Sequence, residues 1–385
     1  MDDLLILEQR KKRTLRFSVA TFFFVAGLCF ASWASRIADI QSTLHLNNAE
    51  LGSVLLGLPV GLLLSLPFAG ILVARFGSRN VVLSAAFSYA LLLPLLGLTI
   101  SGWQLMLGLF LYGISGNILN ISVNTQAVGA EYIFGRSIMA SFHGIWSLAG
   151  FAGAALGALF ISLHFLPYQH FLIIAATASF LIIRASSNLI PLDVNSSEQR
   201  PVFSLPDKSL INLGFIAFCS MICEGTMFDW SSVYFKRVIR PSNDLIAAGY
   251  TAFMCTMALG RFAADHLASK YGKRRVLQLS GVLTAAGLLL AITAPYFFPA
   301  IAGFLLVGAG VSSVVPFVYS IAGKSKTLSS GVALAAVSTI GYFGFLVGPP
   351  VIGFIAQIVN LRVSFCVIAI LGIGITFLAR KTIIA

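Results

Sequence analysis

The chain has 385 residues, of which 58% are hydrophobic and only 10% charged, and its 25 Lys and Arg outweigh 13 Asp and Glu to give a formal net charge of +12. A soluble globular chain usually carries about 25% charged residues, so an ordinary water-soluble domain is excluded. The basic residues are scattered over separate short segments and form no single basic surface, which argues against a nucleic-acid partner.

Charge is confined to clusters between apolar runs of roughly 18 to 26 residues, long enough to cross a hydrocarbon core of about 30 Å. Lipid satisfies no backbone hydrogen bond, so the runs must be helices or barrel strands. Barrel strands would alternate over ten-residue segments; these runs are continuous and rich in Leu, Ala, Gly and Phe. The sequence therefore predicts an all-α membrane protein. Twelve spans are expected, at 14–37, 49–74, 80–99, 102–130, 137–163, 168–187, 209–236, 244–268, 274–294, 297–322, 329–357 and 361–380. With both termini cytoplasmic, nineteen of the 25 Lys and Arg fall on the inner side, five on the outer side and Arg261 within a span. That asymmetry is the positive-inside pattern.

The first span follows the basic run Arg10-Lys11-Lys12-Arg13 and ends near Arg36. Arg75 and Arg79 occupy the loop after the second span. The fourth carries Asn117, Asn120 and Asn124 at i, i+3 and i+7, hence on one face. Three amides in line suit a hydroxyl-rich or zwitterionic ligand, or else hydrogen-bond neighbouring helices; both readings stay open. In the fifth span His143 shares a face with Trp146 and Gly150. Its imidazole titrates near physiological pH and the indole can stack on a ligand ring, although a lone His in a bundle is also an ordinary packing residue. His45, His164 and His170 lie in or beside outer loops and receive no role. The longest hydrophilic stretch, 188–208, is rich in Pro, Ser and Asn and reads as a linker between an N-terminal bundle (1–187) and a C-terminal bundle (209–385).

The seventh span holds the two acids of CEGTMFDWSS. At 1.5 Å per residue Glu224 lies roughly 21 Å along it and Asp229 roughly 28 Å. Five residues at 100° each turn the two carboxylates about 140° apart, so they are no dyad. Glu224 shares a stripe with Ser220, Phe228 and Ser231. An ionised carboxylate in hydrocarbon is costly, and intramembrane acids mark functional sites by default. Glu224 is therefore the first candidate proton carrier, against the alternative of a protonated acid holding a neighbouring helix. Asp229 is expected to pair with Arg36. In the eighth span Arg261 and Asp265 stand at i, i+4, the spacing of an intrahelical ion pair; with Lys270 and Arg274 they read as a gating network. Ser312 and Tyr319 lie in the tenth span, and Gly344, Gly348, Pro349 and Pro350 in the eleventh permit close approach or kinking. The five cysteines fall within spans and read as apolar fillers, with no metal spacing among them. No Gly-x-x-x-x-Gly-Lys-Ser/Thr loop and no nucleophile or metal set occurs, so neither an enzyme nor a bound cofactor is expected.

The chain also repeats itself. LVARFGSRNV (72–81) aligns with LASKYGKRRV (267–276) at an offset of 195, which also superposes Gly108 and Gly113 on Gly303 and Gly308, and Asn117 and Asn124 on Ser312 and Tyr319. FASWAS (30–35) aligns with MFDWSS (227–232) at 197, setting Gly27 opposite Glu224. Two six-helix copies in the same orientation are the parallel repeat of one transporter architecture. On these features the chain resembles the major facilitator superfamily, which implies two pseudo-symmetric six-helix bundles. The superfamily's loop pattern, Gly-x-x-x-Asp-Arg-x-Gly-Arg-Arg, reads GILVARFGSR (70–79) and HLASKYGKRR (266–275) here, with Ala74 and Ser269 at the acidic position. ASWASRIADI (31–40), NILNISVNTQ (117–126), SFHGIWSLAG (141–150) and EGTMFDWS (224–231) resemble a group of bacterial facilitators loosely related to the sugar:proton symporters that include the fucose carriers. The resemblance implies a monomeric inner-membrane transporter that moves a small polar, sugar-like solute with protons by alternating access. Proton-coupled efflux of amphipathic compounds, or a transport-inactive sensor or scaffold, are the alternatives.

Overall fold

The computed structural model describes residues 2–134, 138–191, 208–322 and 330–381; within these, the side chains of 2–11, Ala140, Asp265, 330–332, 334–335 and Lys381 lie outside the description. The described residues contain no strand and form fifteen α-helices. Twelve spans are long and apolar enough to cross a membrane, from Lys12–Ser35 to Leu361–Arg380.

Two expected spans are interrupted, for the same reason. The second is made of α3 (Asn48–Leu55) and α4 (Gly57–Phe76), the tenth of α12 (Phe297–Val311) and α13 (Val314–Ala322). Pro59 lacks the N–H that Leu55 would accept one turn earlier, and Pro316 lacks the one for Ser312, so the α-ladder breaks at each point. The start of α3 is fixed by a capping box, in which Glu50 N–H donates to Asn47 Oδ1 at 2.9 Å and Asn47 N–H to Glu50 Oε2 at 2.8 Å. This box satisfies two orphan donors reciprocally.

Contacts divide the chain into two units, residues 1–40 with 57–196, and residues 41–56 with 197–385. α3 groups by contacts with the second unit, although by sequence it is part of the first copy. In unit 1, α1 (Asp2–Ser35) packs on α7 (Met139–Ser162) and α8 (Pro167–Ser186), while α6 (Gly102–Phe134) packs on α4 and α5 (Ser78–Gly97). In unit 2, α9 (Lys208–Tyr234) lies against α14 (Ser330–Ile358) and α15 (Leu361–Lys381), α11 (Lys273–Thr293) against α12 and α15, and α10 (Ala248–Tyr271) against α12. The seventh span, containing α9, is the most enclosed, with 78% of its apolar window buried. A helix apolar on every side belongs in an interior.

The duplication is visible in equivalent contacts. Gly77 and Gly272, at equivalent places within the two loop repeats, have φ of +78° and +79°, with open space where a Cβ would stand. Glycine is used there for its backbone, since other residues resist positive φ. Gly113 and Gly308 are used for closeness. A Cβ on them would meet the carbonyl oxygens of Leu58 and Phe253 at 2.1 and 2.2 Å, and those two carbonyls are themselves 195 residues apart.

Candidate functional site

Glu224 sits in the middle of an unbroken buried run, Met221–Phe228, of α9. Its Oε1 accepts a hydrogen bond from Arg261 Nη2 of α10 at 3.2 Å, with side-chain exposures of 7% and 18%. The pair is reached because Arg261 lies thirteen residues into α10, at the level of the acid on its neighbour. Two aromatic hydroxyls lie within electrostatic reach of Glu224: Tyr319 on α13 and Tyr342 on α14. The Tyr319 hydroxyl is buried and faces Ser338 without a hydrogen bond of normal geometry. One acid, one guanidinium and two phenols from four helices thus converge within unit 2.

Sequence spacing offers Arg261 a partner in Asp265; the structure gives it an ion pair with Glu224, on another helix. The Asp265 side chain lies outside the described residues. Sequence reasoning also passed over Tyr342, whose only signal is an aromatic hydroxyl inside the glycine-rich STIGYFGF stretch (338–345).

Arg36 has two partners within its own unit. The chain turns after Ser35, and α2 (Ile37–Thr43) begins at once. That brings Asp39 to i+3, where its Oδ2 accepts from Arg36 Nη1 at 3.0 Å. Arg36 Nε donates to His170 Nδ1 at 3.3 Å. Both Arg36 and His170 are buried, and the His170 ring stacks on Phe160 with centroids 4.8 Å apart. An Nδ1 that accepts carries no proton, so the imidazole is neutral with its hydrogen on Nε2. Asp229 makes no ion pair or hydrogen bond among the described residues. The Arg36-x-x-Asp39 spacing was the missed signal; His170, set aside as a loop residue, had none.

The asparagine stripe splits. Asn117 is buried and its Nδ2 donates to Ser65 Oγ of α4 at 2.9 Å. Its copy-related Ser312 is buried too, with Oγ donating to Ala309 O at 2.8 Å and filling the space above Gly260. Ser65 and Gly260 are 195 residues apart, so both copies spend this position on the same helix contact. Farther along, Asn124 Nδ2 donates to Asn120 O at 2.7 Å and to its Oδ1 at 2.9 Å, and Asn120 is exposed. Phe228 is held among Tyr250, Phe253 and Phe345, with centroids 5.7–6.5 Å away. Trp146 is half-buried beside Phe30 at 6.2 Å, and the exposed His143 sets its ring edge-on to Phe23 at 5.3 Å. No group of three or more His, Cys, Asp or Glu able to hold a metal occurs among the described residues.

The comparisons with known proteins agree with this architecture. The model of the Major Facilitator Superfamily matches residues 213–383. The chain is 34% identical to an uncharacterized MFS-type transporter of Yersinia pestis over 93% of each chain. It is 32% identical to the membrane protein MosC of Rhizobium meliloti, over 94% of this chain and 88% of MosC. The chain belongs to the major facilitator superfamily. Among solved structures, a variant of the nucleoside transporter NupG superposes with a TM-score of 0.78 at 14% identity, covering 96% of this chain and 99% of NupG. A bacterial homolog of the human lysosomal transporter Spinster superposes with 0.74 at 12% identity, covering 97% of each chain. Likenesses this remote concern the fold alone. With twelve apolar helices and bacterial relatives, this facilitator is a multi-pass protein of the bacterial inner membrane.

The loop arginines of this facilitator hold helix ends within their own units. Arg79 Nη2 donates to Ser186 O at the C-terminus of α8, at 3.5 Å. Arg274, its copy-related residue, donates in the same way to Arg380 O in the last turn of α15. Orphan carbonyls and a partial negative charge at a helix C-terminus attract a guanidinium. Arg75 and Lys270 are exposed, each over the aromatic ring that follows it, Phe76 at 5.4 Å and Tyr271 at 5.3 Å.

Proposed function

We propose that this facilitator is a secondary transporter that moves a small polar organic solute by alternating access, coupled to protons, with Glu224 as the proton carrier. The Glu224–Arg261 pair supports the reading: it is an ionisable pair in the interior of the most enclosed span, and intramembrane ionisable groups mark coupling and substrate pathways. A proton arriving on Glu224 cancels the charge that holds Arg261. Tyr319 and Tyr342 then supply hydroxyls for polar cargo beside the pair. His143 is the second candidate for proton handling. The positive-inside pattern supports cytoplasmic termini, and the chain is taken to act as a monomer.

The test is proton movement in proteoliposomes loaded with a pH dye and challenged with a panel of polar solutes. Wild type should give solute-dependent proton flux, and Glu224→Gln should abolish it. Transport that keeps its proton coupling in Glu224→Gln removes Glu224 from the mechanism and turns the search to His143.

A further inference from the structure

From Cys219 to Tyr234 every residue of α9 is buried except Asp229, which is half-buried. The one opening along this stretch of the most enclosed span therefore falls on an acid, and that acid has no ion pair or hydrogen bond among the described residues. A carboxylate inside a helix bundle ordinarily pairs with a cation or a donor. The arginines beyond the C-terminal end of α9 and at the start of α15 direct their donors elsewhere. Arg237 Nη2 donates to Leu46 O at 3.3 Å and Arg240 Nε to Arg237 O at 3.1 Å. Arg362 donates twice to Ile292 O, from Nε at 3.0 Å and Nη2 at 2.7 Å.

The face that Asp229 shares is built for the same kind of guest. One turn before it stands Gly225, where a Cβ would come within 2.9 Å of Phe345 Cδ1 of α14. The glycine thus seats the half-buried Phe345 ring against α9, about 5.4 Å along the helix from the acid. Three residues after Asp229, Ser232 is buried at 1% exposure and its Oγ has no hydrogen-bond partner. On α14, Pro349 and Pro350 have no N–H to offer the carbonyls of Phe345 and Leu346. A carboxylate, an unused hydroxyl and carbonyls without their helical donors accept N–H bonds, and an aromatic face attracts a positive charge. The acid and the ring seat do not recur in the first copy. Asp229 and Gly225 align with Ser32 and Leu28 at the offset of 197, and Phe345 with Gly150 at 195.

Resting on the reading of this chain as a transporter of polar solutes, we infer that Asp229 anchors a subsite for a primary ammonium group on the cargo. The cargo class is a polar organic amine, and Asp229 is its specificity-determining residue. Asp229 lies about 7.5 Å beyond Glu224 along α9 and is turned about 140° from it, so the subsite is separate from the Glu224–Arg261 pair. Its acceptors need N–H donors, which a quaternary amine lacks. A lipid headgroup could carry the same ammonium, but the residues around Asp229 on α9 are buried, which favours a solute.

Thermal unfolding of the full-length protein in phosphatidylcholine nanodiscs, at pH 7 and constant ionic strength, tests this with two matched probe pairs, glucosamine against glucose and ethanolamine against choline. Glucosamine and ethanolamine should stabilise wild type with an apparent Kd at least about tenfold below that of their partners, as a hydrogen-bonded charge implies. Asp229→Asn should weaken both amines at least about tenfold. Ser232→Ala keeps the acid and removes one acceptor, so it should weaken them about threefold, and it decides the matter if Asp229→Asn gives no folded protein. The subsite is refuted if Asp229→Asn binds the amines as wild type does, if Ser232→Ala leaves their affinity unchanged, or if glucose and choline bind equally well. Stabilisation by phosphatidylethanolamine in the disc, with no response to the soluble amines, makes the guest a lipid and refutes the cargo class. Uptake into proteoliposomes separates the subsite from the transporter reading. Transport of neutral solutes with no amine binding refutes the amine class and keeps the reading. Amine binding that needs Asp229, in a protein that moves no solute, keeps the subsite and refutes the reading.

Discussion

Removing either member of the Glu224–Arg261 pair should damage the fold unequally with pH. At 3.2 Å between the polar atoms, and with charge centres about 4 Å apart, the attraction is about 4 kcal/mol at an effective dielectric of 20. Truncating one partner of a buried pair costs about 3–5 kcal/mol, mostly because the other charge is left alone. The 18% exposure of Arg261 places both variants toward the lower end of that range. The two remnants differ, however. Without Arg261, the acid can take a proton and become neutral, so the loss in Arg261→Gln should shrink as pH falls from 8 to 5. Without Glu224, the guanidinium cannot lose its proton in this range, so the loss in Glu224→Gln should be the same at both pH values. At about 2–4 °C per kcal/mol for a unit of this size, each single variant should unfold about 6–12 °C below wild type at pH 8. The double variant Glu224→Gln/Arg261→Gln should recover at least half of the summed loss, because the contact between the two side chains is then lost once and not counted in each single variant. The assay is a thermal-unfolding cycle of the four proteins at pH 5 and pH 8. Additive losses, or an Arg261→Gln loss that ignores pH, would refute the pair as the element that balances charge in this unit.

Three further outcomes follow from contacts elsewhere. Gly113→Ala and Gly308→Ala should each cost about 1–3 kcal/mol, since their methyls meet backbone carbonyls that cannot step aside; Gly77→Ala and Gly272→Ala should cost about 1–3 kcal/mol through backbone strain alone, and the four unfolding midpoints check both. His170→Phe keeps the ring stack on Phe160 but removes the acceptor of Arg36 Nε, so it should cost about 1–3 kcal/mol and leave solute transport intact, a split read from unfolding and uptake on the same preparation. Arg79→Gln and Arg274→Gln should each lose about 0.3–1 kcal/mol from the helix ends they hold, measured as faster amide exchange in the last turns of α8 and α15.

The spans and the repeat were legible because they are periodic and local. Apolar run length announces a membrane helix, and a glycine at a fixed offset announces a reused turn. The breaks at Leu56 and at Ser312–Ser313 were legible in principle, since each stands four residues or fewer before a proline, but the apolar runs masked them. The site was less legible because its partners come from different helices. Sequence offered Arg261 a neighbour at i+4, and the fold supplied one 37 residues away in the chain. It offered three asparagines on one face without showing that Ser65, 52 residues upstream of Asn117, takes the first of them. Helical spacing reports which side chains share a stripe, while the rotation of that stripe toward a neighbour is decided by packing.

The duplication separates structure from chemistry in this chain. Where the copies agree, the contact serves the fold: Gly113 and Gly308 on equivalent carbonyls, Arg79 and Arg274 on equivalent helix ends, Asn117–Ser65 and Ser312–Gly260 across the same pair of helices. Where they disagree, ionisable groups appear on one side only. The counterpart of Glu224 is Gly27 and that of Arg261 is Leu66, so both members of the pair are lost together, as charge balance requires. The loss is also enforced sterically. A Cβ on Gly27 would come within 2.3 Å of the Trp146 carbonyl oxygen, so unit 1 cannot hold a glutamate at that position unless α7 moves away from α1. Gly27→Glu should therefore fail to give folded protein even when Leu66→Arg supplies the counter-charge. A folded and stable Gly27→Glu/Leu66→Arg double variant would show that symmetry was broken by charge alone and that packing imposed nothing.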